Sequence, residues 1–385
     1  MPLKEPSQIF RYNCLVWKIF GIWSPESGPK ILYKWYSISF FVTMLFLYNL
    51  LLLINLLYTP RKIDVMVPEV IFFFTEMAVT AKVITVLLMR KEIQETFTRL
   101  DSDILKSDDE TSKTIVDEGN KAFKKFYIIF LSLATTVFLV SLIQSLSDMA
   151  LPVCKYYFLA DDVRDKYFLF LFIYQTFGIY VHMLYNVHVD TYMAGLIWVA
   201  ILQIKILKHK LSNLRISESE LLLTKDEQEK TMLKKMNTYL RQYDFILSYC
   251  QLVQRIINVA MFVQFGVASA IICVVLYGLV LATETKTRIF MVLYLVVMSI
   301  EIIVPGFLGS ELTYEGTNLV PAAYNCDWTP RTEMFKRNLR LFVERANKPI
   351  LLFGMKMFPL SLGSVTSVTS IYRLFSMISQ NSCQD

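Results

Sequence analysis

Four stretches of this chain, Trp35–Tyr58, Tyr127–Leu146, Tyr167–Val189 and Ile256–Thr283, contain no Asp, Glu, Lys or Arg. About 20 apolar residues in a helix span the hydrocarbon core of a bilayer. Lipid offers the backbone no hydrogen-bond partners, so such runs fold as helices. Three further runs carry only isolated charges: Val70–Met89 holds Glu76 and Lys82, Ile289–Leu308 holds Glu301, and Ile350–Ser379 holds Lys356 and Arg373. The reading is an all-α membrane protein with seven transmembrane helices. A composition that is 55% hydrophobic and a mean hydropathy of +0.44 lie outside the range of ordinary soluble domains.

The linkers predict the orientation. The segment before the first run and the linkers Arg90–Phe126, Gln203–Asn258 and Gly309–Pro349 hold 29 Lys and Arg, against 7 in the alternate linkers. Cytoplasmic loops carry the basic excess. The N-terminus is therefore expected to be cytoplasmic and the C-terminus extracellular. The N-terminal stretch has scattered charges and no signal-peptide pattern, so the first span is expected to act as the signal. The inverse of the G-protein-coupled arrangement follows, and that class's Asp-Arg-Tyr and Asn-Pro-x-x-Tyr markers are missing.

Residues 203–258 read as long helical extensions into the cytosol. Ile201, Ile204, Leu207, Leu211 and Leu214 continue the apolar period of the fourth span. Ahead of the seventh run, Phe335, Leu339, Phe342 and Ala346 share one face of an amphipathic helix. Such a face needs a partner surface, either within the subunit or across subunits, and the pattern does not choose.

No catalytic constellation is visible, and no enzyme activity or cofactor is expected. His182 and His188 are six residues apart on one helix, a spacing that does not make a zinc pair. Six scattered cysteines show no CxxC, though Cys154 and Cys383 would both fall outside the cell. Glu76 and Lys82 are too far apart to pair with each other and are expected to pair with neighbouring helices. The +6 charge belongs to the positive-inside loops, so nucleic acid is not an expected partner. A transporter would show inverted repeats and interrupted helices, and neither is apparent.

Aromatic and sulfur-bearing side chains concentrate in the outer halves of several spans: Phe72, Phe73, Phe74, Met77, Phe138, Tyr174, Phe177, Tyr180, Met183 and Tyr294. Small apolar ligands are held by such walls with a few polar groups, here from among Thr135, Ser141, Ser145, Gln175 and Thr176. For any single residue, packing is the simpler role.

The C-terminal third carries the most specific motifs. Tyr324–Trp328, Arg345–Pro349 and Phe358–Leu362 closely resemble the C-terminal signature of insect odorant receptors, and Leu151–Pro152, Tyr167–Gln175 and the stretch from Asp190 extend the resemblance over the chain. The resemblance implies an odorant-gated, non-selective cation channel in the plasma membrane of a sensory dendrite. It implies a small volatile ligand and a heterotetramer with a common co-receptor subunit. The chain lacks that co-receptor's longer loop and different C-terminus, so it resembles the ligand-tuned subunit. The alternatives are a gustatory-type channel subunit, whose signature is not met at Tyr372 and Met377, and a metabotropic seven-helix chemoreceptor.

The resemblance places the ligand pocket among the second, third, fourth and sixth spans. Its expected residues are Val70, Phe73, Phe74, Met77, Phe138, Leu142, Thr176, Ile179, Tyr180 and Tyr294, with Phe73 and Phe74 favoured over Phe72. It places the gate at Ile378, with Leu374 a turn below and Asn381 beyond. The chain then divides into a cytoplasmic segment (1–34), six spans with the pocket (35–308), a cytoplasmic anchor helix region (309–349) and a pore-lining seventh helix with a short tail (350–385). On that last helix Thr366, Thr369, Arg373, Ser376 and Gln380 form a polar stripe, set apart from the face holding Leu374 and Ile378.

Overall fold

The computed structural model describes residues 5–24, 30–102, 109–218, 220–281, 285–355, 357–364 and 366. Twelve α-helices occur among them: α1 (Arg11–Ile19), α2 (Lys30–Phe41), α3 (Tyr48–Tyr58), α4 (Ile63–Leu88), α5 (Arg90–Leu100), α6 (Glu110–Ser147), α7 (Asp161–Lys166), α8 (Phe168–Ser212), α9 (Lys225–Leu281), α10 (Thr285–Thr317), α11 (Leu319–Tyr324) and α12 (Glu333–Ala346). Among the described residues six helices are long and apolar enough to cross a membrane: α2 continued into α3, then α4, α6, α8, α9 and α10.

The first of these is not a uniform helix. Residues Val42–Leu47 form a π-helical segment between α2 and α3. Wider winding leaves carbonyls off the regular ladder, and α8 collects two of them. Tyr174 donates to the Thr43 carbonyl at 2.9 Å and His182 Nε2 to that of Met44 at 2.7 Å.

Helix α8 is the axis of the bundle, packing against α1, α4, α6, α9, α10 and α11. From Val187 to Leu207 it is buried almost all round, with Tyr192, Leu196, Ile201 and Ile204 fully enclosed. That is the pattern of a helix hydrophobic on every face. At this end Lys205 bonds Glu311 at 2.9 Å, Lys208 pairs with Glu315, and Arg331 bonds Glu229 at 3.1 Å. The apolar face of α12 packs within the chain: Phe335, Leu339, Phe342 and Ala346 are buried, and the Phe342 ring meets Tyr243 of α9 edge-on at 5.1 Å.

The seventh apolar run does not begin as a helix at Ile350. Phe353–Gly354 (β1) and Phe358–Pro359 (β2) pair as a tight antiparallel hairpin, and helical turns start only at Leu362. Proline pushes the residue before it towards extended backbone, and Met355 takes a positive φ of 46° at the turn. Gln254 of α9 clasps the hairpin, its Oε1 accepting from the Phe353 N–H at 2.7 Å and its Nε2 donating to the Phe353 carbonyl at 2.8 Å. From α10, Thr313 donates to the Ile350 carbonyl at 2.8 Å. At Gly309 any Cβ would stand 2.1 Å from the Leu360 carbonyl oxygen, so only glycine admits this approach. Arg373 and the expected gate residues Leu374, Ile378 and Asn381 lie outside the described residues.

Candidate functional site

One face of each of four helices turns towards a common cavity of about 100 Å³. From α4 come Phe72, Thr75, Glu76 and Val79, and from α6 Phe130, Ala134, Val137, Phe138 and Ser141. From α8 come Ile179, His182, Met183, Asn186 and Val187, and from α10 Phe290, Tyr294, Val297, Met298 and Glu301. The spacings of three and four are those of single helical faces. These helices are the second, third, fourth and sixth candidate spans.

The upper wall is aromatic. Phe72 stacks on Phe290 with ring centroids 6.1 Å apart, and Phe290 lies 5.8 Å from Tyr294. Thr75 donates to the Ile71 carbonyl at 2.8 Å, so its bond with Tyr294 is one in which the phenol donates. The Tyr294 oxygen keeps acceptor capacity. Ser141 presents a further hydroxyl.

Charged side chains close the lower end. Glu76 lies against Nδ1 of His182, whose Nε2 is 2.7 Å from the Met44 carbonyl. Both ring nitrogens of His182 thus face oxygen atoms, one a carboxylate and one a main-chain carbonyl. Lys82 reaches Asn186 at 2.6 Å, Asp190 at 2.8 Å and Glu301 at 3.4 Å. Asn186 in turn donates to Glu301 at 2.5 Å. Both Glu76 and Lys82 thus pair with other helices, as charges at this depth must.

The residues expected from sequence divide. Phe138, Ile179 and Tyr294 stand in the cavity wall. Val70, Phe73, Phe74, Met77, Leu142, Thr176 and Tyr180 lie outside it. Phe72 is buried (8% exposed), whereas Phe74 and Met77 are exposed (45% and 44%) on the opposite side of α4. Tyr180 borders the cavity indirectly, its ring 5.5 Å from Phe138. The charged pair could have fixed this phase in advance: Glu76 must face protein, and Phe72, Thr75 and Val79 share its face. Asn186 and Glu301 carried no comparable motif.

Of the suggested polar groups only Ser141 reaches the cavity. Thr135 and Ser145 bond backbone carbonyls one turn back, and Gln175 holds the loop before α7 through the Val153 N–H at 3.0 Å and the Cys154 carbonyl at 2.9 Å. Cys154 is a buried free thiol, pushed well above its ordinary pKa by burial, while Cys383 lies outside the described residues.

Six long apolar helices among the described residues, four of them lining an aromatic cavity, define an α-helical membrane bundle. A family model described as 7tm Odorant receptor matches residues 62–372, and the chain belongs to that family. Its members are ligand-gated cation channels, not enzymes. Odorant receptor 2a of Drosophila melanogaster is 22% identical over 95% of each chain. Odorant receptor 30a of the same species is 22% identical over 60% of this chain and 58% of its own. The insect olfactory receptor OR5 from Machilis hrabei, solved in complex with eugenol, superposes with a TM-score of 0.81 at 15% identity, covering 97% of this chain and 98% of that one. A second structure of the same receptor superposes with a TM-score of 0.80 at 14% identity, covering 96% of this chain and 97% of that one.

Proposed function

We propose that this chain is the ligand-tuned subunit of a heteromeric, odorant-gated, non-selective cation channel. It acts in the plasma membrane with a co-receptor subunit, its basic linkers in the cytosol. The observation that carries the reading is the aromatic cavity enclosed by α4, α6, α8 and α10. An engineered apolar cavity of about 150 Å³ takes benzene, and this one, at about 100 Å³, is of the same order. Eugenol, the single-ring molecule bound by the Machilis receptor, is of the same class.

A ligand that binds the open arrangement more tightly shifts the closed–open equilibrium by that difference in affinity. Helix α10 is the physical connection. It offers Tyr294 and Glu301 to the cavity, and Gly309 and Thr313 to the hairpin ahead of the helical turns that start at Leu362. By family resemblance the constriction at Ile378, with Leu374 and Asn381 beside it, then widens and wets. The test is co-expression with the co-receptor and application of a broad volatile panel. Odorant-evoked cation currents are expected, with the ranking of odorants altered by Phe72→Ala, Phe138→Ala and Tyr294→Phe. Silence across the panel, or a ranking indifferent to all three changes, would sink the reading.

A further inference from the structure

Pro305 lies inside α10 and has no N–H to offer the carbonyl four residues back, that of Glu301. Gln264 of α9 takes that carbonyl instead, donating through Nε2 at 2.6 Å. The donor and acceptor ends of an amide are opposed, so this bond turns Oε1 away from Glu301's backbone. Oε1 is buried without a hydrogen-bond partner among the described residues, in a side chain that is 2% exposed. An orphaned buried acceptor is costly.

Gln264 also lines a second, small cavity of about 20 Å³, together with Asp190 and Glu301. This is room for a single water-sized occupant. The surrounding charge is not balanced. Lys82 is the one cation on the two carboxylates among the described residues, at 2.8 Å from Asp190 and 3.4 Å from Glu301. Asn186, the remaining polar neighbour, is neutral. Two carboxylates thus share one ammonium at bilayer depth, and with both ionised the group would carry one uncompensated negative charge, which is expensive there. The rest of the wall, Phe130, Met193, Met261 and Val304 among it, is apolar and brings no side-chain donor.

The geometry points to a site for one monovalent cation, sodium, held by Gln264 Oε1 and the carboxylates of Asp190 and Glu301. Hard cations of this kind take oxygen ligands. A water would satisfy the amide oxygen but not the charge, and a divalent ion would overcompensate it. Because Glu301 also lines the larger cavity, an ion here fixes a carboxylate of the ligand chamber and draws α8, α9 and α10 together. The site stands on its own geometry and does not depend on the odorant-gated reading.

The test is thermal unfolding of the purified full-length chain, followed by tryptophan fluorescence. Sodium chloride is compared with N-methyl-D-glucamine chloride at matched ~150 mM ionic strength, so that screening is equal. Sodium is expected to raise Tm by about 2 °C or more, with saturation at a single site. Asp190→Asn, which removes the net charge, should lose the rise. Gln264→Met, which removes only the neutral acceptor, should shift the sodium midpoint at least ~10-fold upward, about 1.4 kcal/mol, and decides the matter if the first variant does not fold. Equal Tm in the two salts overturns the site, as does an unchanged sodium response in both variants. A protein stabilised by lowering pH but not by sodium holds a proton instead, and the proposal falls.

Discussion

The two ends of α8 are built on opposite terms. Around Ile179, His182 and Met183 the helix borders a cavity on one side and presents Phe170, Ile173 and Phe177 outward on the other. From Val187 to Leu207 the same helix is buried on nearly every face. One end is packed to near completion and the other keeps an internal space. Close packing makes interiors stiff and bistable rather than continuously deformable, so the dense end serves as a fixed reference against which the loose end can change shape. The Lys82, Asp190, Asn186 and Glu301 group lies at the boundary between the two.

The sharpest way to break this contrast is at that boundary. Lys82→Met leaves Asp190 and Glu301 buried without their cation and should cost about 3–5 kcal/mol, read as lost surface expression and a lower Tm. Within the dense end, Ile204→Ala should cost about 2–5 kcal/mol of stability through a cavity that its fully buried neighbours cannot close, with odorant ranking unchanged in whatever protein reaches the surface. In the loose end the balance should reverse. Phe72→Ala enlarges an existing space, so the larger effect is expected on the ligand: an EC50 shift of about tenfold, or 1.4 kcal/mol, for aromatic odorants. Phe74→Ala, two residues along but on the exposed side, should change stability by no more than about 0.5 kcal/mol and leave EC50 in place. If Phe74→Ala and Phe72→Ala behave alike, the assignment of the chamber to one face of α4 fails.

Sequence carried the apolar spans because length and hydropathy are local properties, and it carried the buried face of α12 because Phe335, Leu339, Phe342 and Ala346 keep a helical period. It did not carry the start of the seventh run. Leu351, Leu352 and Phe353 are as apolar as any helix start, and the hairpin depends on partners as distant as Gln254 and Gly309. The chamber was legible as a set of four helices but not in its phase. Three consecutive phenylalanines, Phe72, Phe73 and Phe74, satisfy any composition rule, and only the inward requirement of Glu76 separates them. Nor could the partners of Lys82 be named, since Asp190 and Glu301 lie 108 and 219 residues away in the chain.

The π-helical segment at Val42–Leu47 has a consequence for how such a chain can drift over generations. What α8 grips there is main chain: the carbonyls of Thr43 and Met44 exist whatever side chains those positions bear. Mutational freedom at the seam between this segment and α8 is therefore one-sided. Tyr174 and His182 must keep their hydrogen atoms, while the facing segment can exchange Thr43 or Met44 for any residue that tolerates the winding. A pair of helices joined in this way can diverge on one surface without a compensating change on the other.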